Sequence, residues 1–432
     1  MWRGAMSRLQ GRQGPPANRT GNAAMLTTKG PFASRRRVLA GGAALAGALG
    51  APAIGGAQAR PVRIGLLHPV TGFVAYSGAQ GRLGGQMAID EINAAGGIRS
   101  MGGARLEAVL GDTQAKVEVG VAEVEKMNEA GVAAIVGCFQ SAVVLATTQA
   151  AAKYGIPYAV DVGASDLITT RGLKNVFRLK PGFGKCVDEA IKALDGINGG
   201  AGKVARSAVI VHESSEFGTG TAKLLADRLP GINIEVKEVI KHDNPTRNFD
   251  NVALRIRSLR PDVLMMSNYQ NEYVLLARTL HQQKVDLAGM FSVLGGGFNY
   301  KFAKDLPDVA EYMMDYNHWF APTNPRAQEM KRKVEATGTL FTFEVYLAYN
   351  AVRLIADALE RAGSADKEKL TAALASSTWD GHFMPYGPTR FVDGQNQGGE
   401  AAALQVLKGD IEVVYPAQFA SAKAVFPKPK FG

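Results

Sequence analysis

The sequence of 432 residues is poor in the side chains that most often carry chemistry. Its two cysteines, Cys138 and Cys186, offer neither a disulfide framework nor a metal signature, and both read as unpaired buried thiols. The six histidines, His68, His212, His242, His281, His318 and His382, are scattered without metal-ligand spacing. There is no G-x-S-x-G elbow, H-E-x-x-H helix, C-x-x-C pair, Walker loop or G-x-G-x-x-G fingerprint, so no catalytic residue, metal or cofactor is expected. Gly295-Gly296-Gly297 lacks a following Lys-Ser/Thr and reads as a flexible turn. Beyond residue 59 no apolar run is long enough to span a membrane.

A basic face is lacking as well. Formal net charge is +10, but residues 1–59 hold eight basic residues and no acid, which leaves 41 basic against 39 acidic residues in the remainder. A nucleic-acid partner needs a basic surface on the folded part, so that reading fails. The first 59 residues have their own explanation. Ser34-Arg35-Arg36-Arg37-Val38-Leu39 is similar to the twin-arginine export motif, an Ala/Gly-rich apolar run follows from Val38 to Ile54, and Ala57-Gln58-Ala59 supplies a small-x-small cleavage pattern. The run is shorter than the roughly 20 apolar residues of a membrane anchor. Residues 1–59 therefore read as a cleaved signal peptide, with a soluble periplasmic product.

What the remainder does contain is alternation. Strand-like segments Val62–Leu67, Leu106–Leu110, Val132–Val136 and Tyr158–Val160 are interleaved with helical ones at Leu83–Ala95, Val117–Ala130 and Val143–Tyr154. After a break at Leu179–Gly182 a second series follows. Its strands are Ser207–His212, Asn233–Ile240 and Val263–Met266, with helices Val187–Ile197, Gly218–Leu229, Phe249–Leu259 and Glu272–Gln282. This is an α/β chain of two doubly wound lobes, with a cleft between them as the preferred ligand site. Beyond Gly289–Ser292 the chain reads as helical, including Phe343–Ala362, and ends in strand-like pieces at Thr389–Val392, Ala403–Leu407 and Ile411–Val414.

Ligands in such sheets lie beyond the carboxyl ends of the strands. The loop after the first strand, rich in Pro and Gly, carries Tyr76 and Ser77. The third strand runs into Gly137-Cys138-Phe139-Gln140-Ser141 and the fourth into Val162-Gly163-Ala164-Ser165-Asp166. Two neighbouring strands each deliver a serine just before a helix, whose free backbone N–H groups suit a carboxylate. Helix capping is the alternative role for each serine. His212 beside Glu213 offers an acid/base pair, with no nucleophile or metal partner implied.

Several segments together resemble the leucine/isoleucine/valine-binding family of periplasmic receptors for ABC importers. They are PVTGFVAYSG and GGQMAIDEINAAGGI within 69–98, IVGCFQSAVVLA at 135–146, DVGASDLIT at 161–169, NVFRLKP at 175–181 and EVYLAYNAVRLIADALERAG at 344–363. The resemblance implies the type I bilobal fold, with lobe 1 formed by 60–179 plus 292–390 and lobe 2 by 180–291 plus 391–432. It implies hinge crossings near Leu179–Gly182, Phe291–Leu294 and Pro388–Asp393, a small-molecule ligand, a membrane permease as partner and a monomeric receptor.

Residue by residue, the resemblance places the ligand-carboxylate hydroxyls on Ser141 and Ser165, flanked by Gln140 and Ala164. Gly163 would turn a carbonyl to the ligand's ammonium, Tyr76 or Ser77 would sit at the rim, and Phe217 and Tyr269 would pack from lobe 2. The family's ammonium-binding acid falls on Thr246. A buried ammonium without that partner forgoes a charge-assisted hydrogen bond worth roughly 1.5–3 kcal/mol. Either Glu213, Glu216, Asp243 or Glu272 replaces the acid, or the ligand is a small carboxylate or amide without an ammonium. In the second case Tyr316, Trp319 and Phe320 either line the cleft or pack between helices. The same fold also serves sensory receptors, and an exported hydrolase or lyase built on His212 and Glu213 is the reading from another class.

Overall fold

The computed structural model describes residues 59–430. The expected export motif and apolar run therefore lie outside the described residues. Among the described residues no helix is long and apolar enough to cross a membrane.

The first series is β1 (Val62–His68), α1 (Ala75–Ala94), β2 (Leu106–Asp112), α2 (Val117–Glu129), β3 (Ala134–Gly137), α3 (Ser141–Lys153), β4 (Tyr158–Val160), α4 (Leu167–Thr170) and β5 (Val176–Arg178). The second runs α5 (Phe183–Gly200), β6 (Ser207–Glu213), α6 (Glu216–Arg228), β7 (Glu235–His242), α7 (Asp250–Leu259), β8 (Val263–Ser267), α8 (Gln270–Gln282), β9 (Gly289–Val293), α9 (Tyr300–Asp305), α10 (Pro307–Ala310) and β10 (Met314–Asn317). Then come α11 (Pro325–Ala336), α12 (Phe343–Ala362), α13 (Lys367–Ala375) and the short strands β11 (Phe391–Val392), β12 (Gln395–Asn396), β13 (Ala402–Leu407) and β14 (Asp410–Tyr415).

These build two seven-stranded sheets, in the orders β11-β12-β5-β4-β3-β1-β2 and β14-β13-β10-β9-β8-β6-β7. Six consecutive strands of the first sheet, β12 to β2, and five of the second, β10 to β7, are parallel, and the five from β5 to β2 share the winding order of the five in the second sheet. The winding reverses between β1 and β3 in one lobe and between β6 and β8 in the other. Crevices open at those reversals. The central strands are continuous buried runs, with every residue of β3, β6, β8 and β9 inside, as strands covered on both faces require. The edge strand β7 instead alternates between exposed and half-buried residues.

Three placements differ from the expectations. The first helix begins at Ala75, so Tyr76 and Ser77 stand on a helix and not in a loop. Its buried face is made of Gly78, Gly81, Gly84 and Gly85 before Ala88, Ile89 and Ile92, and glycine carries no apolar signal. A Cβ at Gly84 would stand 1.9 Å from the Val345 carbonyl oxygen of α12, so a side chain is excluded where the two helices touch. Second, Met314–Asn317 is not helical: it is β10, the strand between β9 and β13. Its polar Asp315 and Asn317 face a buried network, in which Asn317 Nδ2 donates to Asp315 Oδ2 at 2.7 Å and the Gly295 amide donates to Asp315 Oδ1 at 3.1 Å. Third, residues 292–317 belong to the second sheet and 391–396 to the first, the reverse of the boundaries drawn from the sequence. The chain crosses between lobes at 179–182, 318–324 and 397–401.

Candidate functional site

The carboxyl ends of both sheets meet over one small apolar cavity of about 30 Å³. Lobe 1 contributes Phe139 and Ser141 from the β3–α3 turn, Val162 and Ala164 from the segment after β4, and Phe343 at the start of α12. Lobe 2 contributes Phe217 on α6, Tyr269 after β8, and Leu294 and Gly296 after β9. Asn317 and His318 close it from the crossing that leaves β10.

Ser141 opens α3, and its Oγ accepts the amides of Ala164 at 3.2 Å and Ser165 at 3.1 Å. The hydroxyl therefore fixes the neighbouring loop and still has its proton to donate. That loop is tied down from below as well. His68, ending β1, pairs with Asp161 at 2.7 Å, and Asp161 accepts the Val162 amide at 2.6 Å.

Of the residues singled out in the sequence, Ser141, Ala164, Phe217 and Tyr269 come together in the lining. Tyr269 stands at the centre of an aromatic group, with ring centroids of Phe73, Phe139 and Phe217 at 5.8, 5.8 and 5.6 Å. Ser165 is fully buried outside the lining, and its Oγ donates across the cleft to Glu216 Oε1 at 2.8 Å. Gly163 also lies outside the lining. Its carbonyl is 3.5 Å from Nη1 of Arg178, a cation already beside the oxygen assigned to an ammonium. Gln140 is buried at the N-cap of α3 with its Oε1 unpartnered. Tyr76 is half-buried, and burial together with Glu344 and Asp305 pushes its phenol up to about 12. Ser77 is buried beside Glu344.

Thr246 donates its hydroxyl to the Asp243 carbonyl at 2.6 Å and its amide to Glu272 at 3.3 Å. Glu272 thus sits behind Thr246, and burial raises its pKa. No carboxylate is among the lining residues. Charges of both signs lie beyond the lining: Asp161 accepts the Val162 amide, Asp315 accepts from Asn317, and the buried basic residues Arg178 and Lys180 act on His318. Arg178 is 1% exposed, donates to the Ser165 carbonyl at 2.7 Å, and is pushed down to about 10 by burial. Lys180 is 0% exposed, and its only hydrogen bond is to the Pro181 carbonyl at 3.4 Å, so burial and Arg178 drive its pKa well below the usual lysine value.

His212 and Glu213 do not form an acid/base pair. The His212 ring nitrogen Nδ1 meets the Glu213 backbone oxygen at 2.8 Å, while the Glu213 carboxylate holds the start of α6 through Ser215 and the Gly218 amide. Trp319 and Phe320 stack on each other and meet Tyr346 edge to face rather than line the cavity, and Tyr316 bonds to the Ala401 carbonyl at 3.1 Å. Both cysteines are free and buried. Among the described residues no cluster of His, Cys, Asp and Glu is suited to a metal.

The sequence reading missed Phe139, Val162, Leu294, Gly296, Asn317, His318 and Phe343. Phe139 and Val162 adjoin residues it named, and a rule placing the first residues after every strand in the site would have found them. His318 was hidden with β10.

A periplasmic binding protein family model matches residues 61–410. Over 407 residues the chain is 28% identical to Leu/Ile/Val-binding protein homolog 8 of Brucella suis, covering 90% of this chain and 98% of the relative. Over 334 residues it is 28% identical to the leucine-, isoleucine-, valine-, threonine-, and alanine-binding protein of Pseudomonas aeruginosa, covering 74% of this chain and 83% of that one. Two solved structures share the fold. The branched-chain amino acid transporter substrate binding protein LivJ of Streptococcus pneumoniae, in complex with isoleucine, has a TM-score of 0.71 at 20% identity over 85% of this chain and 100% of its own. An R. palustris solute binding protein in complex with benzoate has a TM-score of 0.73 at 19% identity over 84% of this chain and 97% of its own. The family match runs through both lobes and all three crossings between them, and the chain belongs to the periplasmic binding proteins.

Proposed function

We propose that the protein is the exported solute receptor of an ABC importer and that it closes its two lobes on a small carboxylate with an apolar body and no ammonium group. The lining of the cavity carries this reading. It offers the Ser141 hydroxyl at the start of α3 and aromatic or aliphatic walls, but no carboxylate to meet an ammonium. The Arg178 guanidinium, which donates to the Ser165 carbonyl, adds positive charge beside that loop. Ligand contacts to both lobes bias the hinge toward closure by their differential affinity, and a permease then reads the closed form. Export by the twin-arginine route with cleavage after Ala59, and action as a monomer, complete the reading.

A branched-chain amino acid, as in the relatives' names, is the second reading. Glu216 favours it, because its carboxylate already crosses the cleft to Ser165 and has a second oxygen to offer.

Calorimetry on the exported chain separates the two with leucine and 4-methylpentanoate, which is leucine's carbon skeleton without the amine. The carboxylate reading expects 4-methylpentanoate or benzoate to bind at least about tenfold tighter than leucine. Leucine binding tighter than both would overturn it in favour of the amino acid.

A further inference from the structure

His318 is 2% exposed, faces the cavity, and has no hydrogen-bond partner at either ring nitrogen. The other polar side chains of the lining have partners, with the Ser141 proton left to donate. Asn317 accepts the His318 amide at 2.8 Å and donates to Asp315, Tyr269 shares its hydroxyl with Ser215 at 3.2 Å, and Ser141 holds two amides. The backbone that carries His318 is pinned, since Tyr346 donates its hydroxyl to the His318 carbonyl at 2.6 Å. A buried polar group left unpaired costs about 1–3 kcal/mol.

Burial, with Lys180 and Arg178 behind it, drives the His318 pKa well below the usual value, so the ring is neutral and presents one donor and one acceptor. An oxygen complements that pair: a carbonyl accepts the N–H, and a hydroxyl answers both nitrogens. The Arg178 charge acting on the ring disfavours a cationic group there. Ser141 belongs to the β3–α3 turn and His318 to a hinge crossing, so the two free polar groups serve different parts of one ligand.

We infer that His318 is a specificity-determining residue and that the ligand, besides its carboxylate, carries a hydroxyl or carbonyl oxygen placed against the His318 imidazole. The inference rests on the small-carboxylate reading and narrows it to hydroxy and oxo acids.

The test is calorimetry with matched acids that differ by that oxygen: 4-methylpentanoate against 4-oxopentanoate, and benzoate against 2-, 3- and 4-hydroxybenzoate. In the wild-type protein at least one oxygenated acid binds about tenfold or more tighter than its hydrocarbon partner. His318→Leu abolishes that preference without weakening the hydrocarbon acid, and His318→Gln, which retains a donor and an acceptor, keeps part of it. Melting curves of the unliganded variants establish that they fold, and the wild-type comparison stands without them. Hydrocarbon acids binding as tightly as every oxygenated partner would overturn the inference and leave the carboxylate reading intact. Binding of leucine alone, with all the acids silent, would overturn both.

Discussion

Ser141 joins a structural role to the recognition role proposed for it. Its oxygen takes two buried amides of the neighbouring loop, and its proton remains for a ligand. Ser141→Ala therefore leaves two amides without an acceptor and removes a donor from the cavity. A stability loss of about 1–3 kcal/mol in urea and a Kd raised about tenfold are expected together. Ser141→Thr keeps the hydroxyl and recovers most of both; unchanged affinity in the alanine variant would remove Ser141 from the site.

Glu344 gives a second residue-scale expectation. It is buried at the start of α12 with both carboxylate oxygens unpartnered, the hydroxyls of Thr342 and Ser77 lying close without closing a hydrogen bond, and burial pushes it up to about 7. Because the folded value lies above the unfolded 4.5, the folded state holds the proton longer. The stabilisation is complete below about 4.5 and is lost as pH rises through about 7. Asp315, also raised to about 7 by burial, acts in the same direction. Urea midpoints are thus expected to fall between pH 5 and pH 8, with Glu344→Gln flattening the decline without abolishing it; equal slopes in both proteins would contradict the assignment. Serines at strand ends were legible because they stand where an α/β sheet exposes its loops. Their partners were not, because the Ser165–Glu216 contact joins residues 51 positions apart on different lobes.

Among the elements, α1 is the clearest case of packing without apolar side chains. Gly78 and Gly84 let the helix touch the Pro69 and Val345 backbones, and a Cβ at either would stand 2.0 or 1.9 Å from a carbonyl oxygen. Gly84→Ala is expected to destabilise by about 1–3 kcal/mol or more, since α1 or α12 must shift. Gly196 on α5 is exposed with nothing within 4 Å of its added Cβ, so Gly196→Ala should stabilise by about 0.5–1 kcal/mol. Urea unfolding of both variants decides; equal effects would mean that close approach is not what these glycines provide. The same physics set what could be read in advance. Buried parallel strands such as β6 and β8 are unbroken apolar runs and were legible. The opening of α1 was not, because glycine hides periodicity, nor was β10, because Asp315 and Asn317 put polar residues in a central strand. The resemblance to leucine/isoleucine/valine-binding proteins supplied the bilobal fold, which the relatives and the shared structures bear out.

At the scale of the whole molecule, the lobes are held together by few polar contacts. Ser165 donates to Glu216, and Asn271 Nδ2 donates to the Phe73 carbonyl at 3.0 Å. Both bonds join opposite lobes and exist only when the lobes meet, so they favour closure whatever the solute. Each is worth about 0.5–1.5 kcal/mol net, and the pair shifts the open-to-closed ratio by roughly 5- to 150-fold. Glu216→Ala with Asn271→Ala is therefore expected to open the unliganded receptor, seen as a larger radius of gyration in small-angle X-ray scattering. Solute then has to supply more of the closing free energy. Apparent affinity falls by the lost closed fraction, while saturating solute restores the compact scattering curve. Loss of affinity with no change in unliganded scattering would make Glu216 a ligand contact and not a latch, which would return weight to an ammonium-bearing ligand. No change in either measurement would place the balance of closure in the apolar contacts of Phe73 and Phe139 on Tyr269.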